Sequence, residues 1–431
     1  MDKMADVLGR AGAWCGQNKY LSAIKNAFQN FMPLTIAGAI GVLWCNVLVN
    51  ESTGLGIFFK PIMALEFLNP AFQAVNFCTI SCITVGITLG IAQEIGVWNM
   101  GAERAGYIPG LVGLAAWLSV TNTSHMVEGA KEAFTGIAGN ELGATGLFTG
   151  MIIGVLSVEL FCFFEKQDAL KIKMPEQVPP GVARAFEVLV PATITLIITA
   201  CIGSACYNLT GLYLNDVIKN GIQGPLGAVG ATIPGVMIIY LVIMLFWLVG
   251  IHGNNMLSAV KEALFTPLAL ENVEKFNKGE KPTNIINMYA LQMWGEFGGS
   301  GVTIGLVIAI MIFGKREDNK AIASLSLVPG LFNINETVTF GIPMVLNPIL
   351  GIPFVVAPLI TIIIGYVLTV IGFCPVACLT VPWTTPPIVF GFLACGANVM
   401  GAVTQAILIV VSTVIYVPFL ISYEKYQNKQ A

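Results

Sequence analysis

The sequence predicts an all-α polytopic membrane protein with about ten transmembrane helices. Three observations carry that expectation. Of its 431 residues, 56% are hydrophobic and 10% are charged, against roughly 25% charged in an average soluble chain. Apolar runs recur at lengths near the ~20 residues of helix that cross a hydrocarbon core. The longest polar stretch, KEALFTPLALENVEKFNKGEKPTN from 261 to 284, is too short to fold around a core of its own.

Lys3, Arg10, Lys19 and Lys25 alternate with apolar residues at the N-terminus, with no secretory cleavage pattern. The segment reads as an amphipathic helix on the inner membrane surface. Apolar runs then centre on Phe31–Val49, Ala74–Ala92, Ile108–Val120, Ala144–Phe164, Val188–Cys206, Ile233–Ile251, Gly301–Phe313, Ile352–Phe373, Ile388–Met400 and Ala402–Ile421. With the N-terminus inside, the outer loops 51–70, 121–143 and 207–230 hold only Lys60, Lys131 and Lys219. The other basic residues fall in the N-terminal segment, the inner loops or the tail, as cytoplasmic retention of Lys and Arg requires.

Two halves follow. Residues 1–206 carry regular apolar spans, and residues 207–431 carry segments broken by Gly, Pro and Asn. Broken helices at membrane depth need protein or a watery cavity to satisfy their backbone groups, so the second half is expected to line a path. No GxxxxGK[ST] motif occurs, which weighs against an ATP-driven pump. The ten cysteines show no metal-ligand spacing; Cys78/Cys82 and Cys374/Cys378 read as apolar fillers, and neither a metal nor another cofactor is expected. A net charge of −3 suggests no nucleic-acid partner.

Four clusters could carry chemistry. In GLFNINETVTFGIPMVLNPILGIPF, Glu336 is the only Asp, Glu, Lys, Arg or His between Ala321 and Tyr423. An intramembrane carboxylate is costly and usually faces a cavity. Asn333 and Asn335 flank it, and Pro329, Gly330, Pro343 and Pro348 break the helix around it, so the natural backbone is a re-entrant hairpin. In FWLVGIHGNNML, His252 stands among Gly250, Gly253, Asn254 and Asn255, with Trp247 about one turn earlier. The alternative there is a hydrogen-bonded core histidine. His125, beside Glu128, Lys131 and Glu132, reads as a solvated outer residue.

In QMWGEFGGSGVTIGL, Glu296 is the only charge between Pro282 and Gly314. Trp294 offers a flat face, and Gly298, Gly299 and Gly301 permit close backbone approach; the alternative is a small-residue helix interface. In LTVPWTTPPIVFGFL, Trp383 stands in a stiff proline corner, either as a binding plate or as an interfacial anchor. Carboxylates, amides, an imidazole and indole faces, with no fixed cation beyond a protonated histidine, suit a neutral polyhydroxylated ligand, since a buried anion would want Arg or Lys.

These four segments, together with AIKNAFQNFMPLTIAGAI at 23–40, resemble in order and spacing the membrane-spanning IIC component of the bacterial phosphoenolpyruvate-dependent sugar phosphotransferase system, lactose/cellobiose/diacetylchitobiose family. The resemblance implies a homodimer in the cytoplasmic membrane with both termini cytoplasmic. Residues 1–206 would form the dimerisation scaffold and 207–431 the sugar-binding transport domain, with two re-entrant hairpins. It implies inward, elevator-like carriage of a β-linked disaccharide, phosphorylated on its 6-hydroxyl by a separate IIB subunit supplied through IIA, HPr and enzyme I. In this reading the chain is a transport subunit without a complete active site.

By the same resemblance, Glu336 and His252 lie beside the reacting hydroxyl. The sugar contacts come from Asn254, Glu296, Asn335 and Trp383, joined by Trp247, Trp294, Gly253 and Gly299 of the same motifs. Thr337 and Thr339 depart from the family pattern after the glutamate, as does Val97–Ala116, and either departure could bear on specificity. The competing readings are an ion-coupled secondary transporter with Glu336 and His252 as proton relay, and a membrane-bound transferase or sugar sensor.

Overall fold

A computed structural model describes residues 17–51, 59–125, 134–175, 177–225 and 230–430, together with residues 10, 13, 14 and 56. Most of the expected N-terminal amphipathic segment, and Glu128, Lys131 and Glu132, lie outside these. The helices that frame the molecule are α1 (Lys19–Leu43), α2 (Asn69–Cys78), α3 (Ile83–Met100), α4 (Ile108–Val120), α5 (Ala144–Glu165), α6 (Pro180–Thr210), α7 (Ile233–Leu248) and α8 (Ser258–Asn277). They continue as α9 (Met288–Gly295), α10 (Ile304–Phe313), α11 (Glu317–Leu331), α12 (Glu336–Gly341), α13 (Gly351–Val370), α14 (Val389–Ala394) and α15 (Val399–Gln430). Two short strands, Ser124–His125 and Phe134–Thr135, pair antiparallel.

Among the described residues six helical stretches are long and apolar enough to cross a membrane, or seven if the pair α9/α10, bent by 59°, is one span. The expected ten is corrected by the breaks. Ile108–Val120 and Ile233–Leu248 are apolar but shorter. Ile388–Met400 is no span: α14 ends at Ala394, and left-handed Gly396 (φ 71°) and Ala397 (φ 57°) turn the chain before α15.

The described residues pack as two compact units, one drawn from 17–35 and 77–227, the other from 36–76 and 228–431. In the first, α3, α4, α5 and α6 pack side by side around Ala116, Trp117, Val120 and Ile153. Their backbones approach closely, because a Cβ on Gly113 would collide with Ala92 and one on Gly150 with Thr88, the small-residue packing of membrane helices. Charges gather where these helices end: Glu165 accepts from Arg104 and Arg184 at 2.8 and 3.0 Å, and Glu187 from the same two at 3.1 and 2.8 Å.

In the second unit α15 packs against α10, α13 and α14, and α13 against α7 and α9. Local chemistry starts the short elements. Thr232 Oγ1 caps α7 through Gly235 N at 3.2 Å, and Asn287 Oδ1 caps α9 through Tyr289 N and Ala290 N at 3.0 and 3.1 Å, each satisfying helix N–H groups that lack partners in the first turn. The polar stretch 261–284, too short for a core of its own, is largely α8, and Lys261, Asn272 and Val273 in it are buried. Asn46 Nδ2 donates to Asn277 Oδ1 at 3.2 Å. Lys278 and Lys281 therefore follow a helix that ends beside the C-terminal end of the first span. The sequence places that end on the outer face, so Lys278 and Lys281 depart from the inside-positive pattern expected of the other loops.

Candidate functional site

Four breaks in the second unit meet around one cavity of about 600 Å³: the turn after α7, the glycine break between α9 and α10, the tip between α11 and α12, and the proline corner before α14. The glycine break needs glycine. Gly299 and Gly301 have φ of 86° and 80°, a left-handed backbone that side chains disfavour. A Cβ on Gly299 would press on Asn335 at 2.7 Å, and one on Gly301 would collide with the Phe354 ring.

Asn333 ties three of the breaks together. It is itself left-handed (φ 62°), a conformation asparagine tolerates better than most residues. Its Oδ1 accepts from Gly298 N at 2.6 Å, and its Nδ2 donates to the Trp383 and Thr385 carbonyls at 2.6 and 3.0 Å. Asn335, buried, donates to Ser300 O at 3.0 Å and to Thr339 Oγ1 at 3.1 Å. Thr339 is thus a buried anchor for Asn335 rather than a cavity wall. Gln405 of α15, itself in the lining, holds the proline corner by accepting from Ile388 N and Gly391 N at 2.7 and 2.8 Å.

His252 and Glu336 stand side by side at the cavity wall. His252 Nδ1 accepts from Asn255 N at 3.2 Å, which leaves Nε2 to carry the ring proton. Nε2 lies 3.7 Å from Glu336 Oε1, and both side chains remain partly exposed. An oxygen placed between them reaches each at about 2.8 Å, an ordinary hydrogen-bond length. Trp383 is 44% exposed and forms part of the lining. The Gln292 Oε1, also at the wall, is buried without a hydrogen-bond partner among the described residues, and a ligand hydroxyl would satisfy it.

Of the residues expected at the site, Glu336, His252, Asn254, Glu296, Asn335, Trp383 and Gly299 line the cavity. Trp247, Trp294 and Gly253 do not, and are corrected to a supporting layer. Trp247 is 2% exposed, with its ring 4.4 Å from that of His252 and edge-on to Phe354. Trp294 is packed under Gly365, where a Cβ would collide with the indole, and a Cβ on Gly253 would collide with the Ile243 carbonyl.

Asn255 and Asn333, noted in the sequence beside His252 and Glu336, also line the cavity, and Gln292, Phe297, Ser300, Ile334, Phe390 and Gln405 line it unannounced. Only Gln405, a lone amide inside the apolar run of α15, carried a usable sequence signal. The absence of a fixed cation is also corrected: Lys261, 5% exposed, pairs with Glu296 from behind the wall. No residue of 97–116 lines the cavity.

Comparison with known proteins decides the family. Residues 25–358 match the family "Phosphotransferase system, EIIC". The chain belongs to the EIIC family of the phosphotransferase system. It is 32% identical to the oligo-beta-mannoside-specific EIIC component of Bacillus subtilis (strain 168), over 98% of this chain and 94% of that protein. It is 30% identical to the cellobiose-specific EIIC component of Lactococcus lactis subsp. lactis (strain IL1403), over 99% and 98%.

The crystal structure of the transporter ChbC, the IIC component from the N,N'-diacetylchitobiose-specific phosphotransferase system, superposes with a TM-score of 0.88 at 29% identity, covering 97% of this chain and 96% of that one. This EIIC chain is accordingly a multi-pass inner-membrane sugar permease. It is the transport subunit of a system whose other components are IIB, IIA, HPr and enzyme I.

Proposed function

We propose that this EIIC component takes a β-linked disaccharide of the cellobiose, diacetylchitobiose or lactose type. It carries the sugar inward by an elevator-like movement and presents its 6-hydroxyl to phosphorylated IIB. The observation that carries the reading is the His252–Glu336 pair, 3.7 Å apart at the wall of a cavity of about 600 Å³, a volume within the usual range of small-molecule sites.

Glu336 accepts the hydroxyl proton as the phosphoryl group transfers, and the Nε2–H of His252 orients the same oxygen. That is enough for a loose transition state in which positioning dominates. Asn254, Glu296, Asn335 and Gln292 supply hydrogen bonds to sugar hydroxyls, and Trp383 supplies a stacking face. The β-linked sugars for which the relatives are named, cellobiose and diacetylchitobiose among them, support the substrate class.

In this proposal the segments 317–350 and 372–396 are re-entrant hairpins whose tips carry Glu336 and Trp383. The N-terminal spans form the dimerisation scaffold of a homodimer, and both termini are cytoplasmic. The test is uptake of radiolabelled cellobiose, diacetylchitobiose and lactose into cells with and without a matching IIB and IIA, followed by chromatography of the intracellular label. Sugar 6-phosphate formed only with IIB present supports the proposal and names the substrate. Free sugar accumulating without IIB, and abolished by an uncoupler, overturns it in favour of an ion-coupled transporter.

A further inference from the structure

Behind the cavity wall lies a charge that the lining does not display. Lys261, in the first turn of α8, is 5% exposed. Its Nζ pairs with the Glu296 carboxylate and lies 3.4 Å from Asn254 Oδ1. Tyr240, 1% exposed, donates its hydroxyl to the same Glu296 oxygen at 2.7 Å, and its ring lies 5.6 Å from the ammonium. Glu296 and Asn254 line the cavity, whereas Lys261 and Tyr240 do not.

Lys261 therefore reaches a ligand only through two residues that touch the cavity. A buried carboxylate stripped of its cation is strongly unfavourable and takes up any cation within reach. Two such cations are available in principle: the ammonium behind the wall, or an ammonium brought in on the ligand. They compete for Glu296, the other carboxylate of the lining, Glu336, being set against His252.

Resting on the sugar-permease reading above, we propose that Lys261 is the positioning residue that sets charge selectivity. By neutralising Glu296 from behind and holding Asn254 alongside it, Lys261 makes the cavity accept hydroxyl- and acetamido-bearing sugars and refuse sugars that carry a free ammonium group. Glu296 then meets the sugar as a fixed hydrogen-bond acceptor with its charge already balanced. Asn254, with Nδ2 donating to Ser300 Oγ at 2.9 Å and Oδ1 facing the lysine, is locked in one amide orientation. Lysine also suits this place because its ammonium has three donors to divide among carboxylate and amide oxygens.

The experiment uses the full-length protein in detergent or nanodiscs, with calorimetric titration of cellobiose, N,N'-diacetylchitobiose and the doubly charged de-acetylated chitobiose. Wild type is compared with Lys261→Met, Lys261→Arg, Glu296→Gln and the double variant Lys261→Met/Glu296→Gln. Lys261→Met is expected to weaken the uncharged sugar at least ~10-fold and to shift the ratio of uncharged to charged dissociation constants by ~100-fold toward chitobiose, the size of one charge contact recovered in a partly buried site.

Lys261→Arg keeps the wild-type preference. The double variant, with no charge at either position, binds the uncharged sugar more tightly than Lys261→Met does, because it no longer holds an unpaired carboxylate. An unchanged ratio in a Lys261→Met protein with wild-type thermal unfolding overturns the proposal, and so does a double variant that binds the uncharged sugar no better than Lys261→Met. If Lys261→Met does not fold, Glu296→Gln decides, since its unopposed ammonium should weaken chitobiose more than the uncharged sugar, and an equal effect on both overturns the idea. A wild type that binds none of the three sugars and yields no sugar phosphate with IIB overturns the permease reading itself. Binding of an uncharged disaccharide with a ratio insensitive to Lys261 removes only the charge-pair proposal.

Discussion

Asn333→Asp is the most informative change at the hairpin tip, because it alters two atoms' chemistry while keeping the shape. Aspartate tolerates the left-handed φ of 62° at this position, and one carboxylate oxygen can still accept from Gly298 N. The other replaces an amide donor that reaches the Trp383 and Thr385 carbonyls at 2.6 and 3.0 Å. Two hydrogen bonds, each with a net value of about 1 kcal/mol, are lost, and an oxygen is set against two carbonyl oxygens. The Trp383 corner is no longer held in its binding arrangement.

Apparent affinity falls with the fraction of molecules in the competent arrangement, so a loss of about 2 kcal/mol in holding energy raises the sugar dissociation constant roughly 30-fold. Calorimetric titration of the purified variant measures this, with thermal unfolding to confirm that the fold is retained. Asn333→Gly, which relieves the backbone but removes the same bonds, should match Asn333→Asp to within a few-fold. A dissociation constant for Asn333→Asp within about 3-fold of wild type, well under the loss of one hydrogen bond, would refute the view that Asn333 carries the corner.

Glu336→Gln should lower intracellular sugar phosphate at least ~100-fold in the IIB-dependent uptake assay, the low end for removing a general base; normal phosphorylation would remove Glu336 from its role. Trp383→Ala should weaken sugar binding by about 1–3 kcal/mol if its ring is a stacking plate, by analogy with base–aromatic contacts, and an unchanged dissociation constant would make it an anchor only. Gly301→Ala, strained at φ 80° and driven into the Phe354 ring, should destabilise the protein by about 1–3 kcal/mol in thermal unfolding. Trp247→Ala should cost about 3–5 kcal/mol of stability by emptying a buried site, whereas Trp247→Phe, which keeps an aromatic face against His252, should leave sugar affinity near that of wild type.

Some of this molecule is readable along the chain. Composition and apolar run length specify a membrane protein, because about 20 apolar residues have no other stable place. Glu336, His252, Glu296 and Trp383 announce themselves because a charge, an imidazole or an indole corner inside an apolar stretch is costly unless something uses it. The family pattern is carried by local motifs and is legible for the same reason.

Tertiary structure decided the rest. Whether an apolar run spans or turns depends on where the breaks find partners: Ile388–Met400 has the composition of a span, but the chain turns at Gly396 and Ala397. Whether an indole meets ligand or core depends on the neighbouring helix, which buries Trp247 and Trp294 and leaves Trp383 open. Asn333 and Gln405 became structural keys only through backbone groups far away in sequence. Lys261 opens a segment that reads as a polar loop, and only the folding of α8 against Tyr240 and Glu296 makes it part of the site. Motifs mark residues that are expensive wherever they lie; which partners meet them is settled by contacts between segments distant along the chain, which local sequence does not encode.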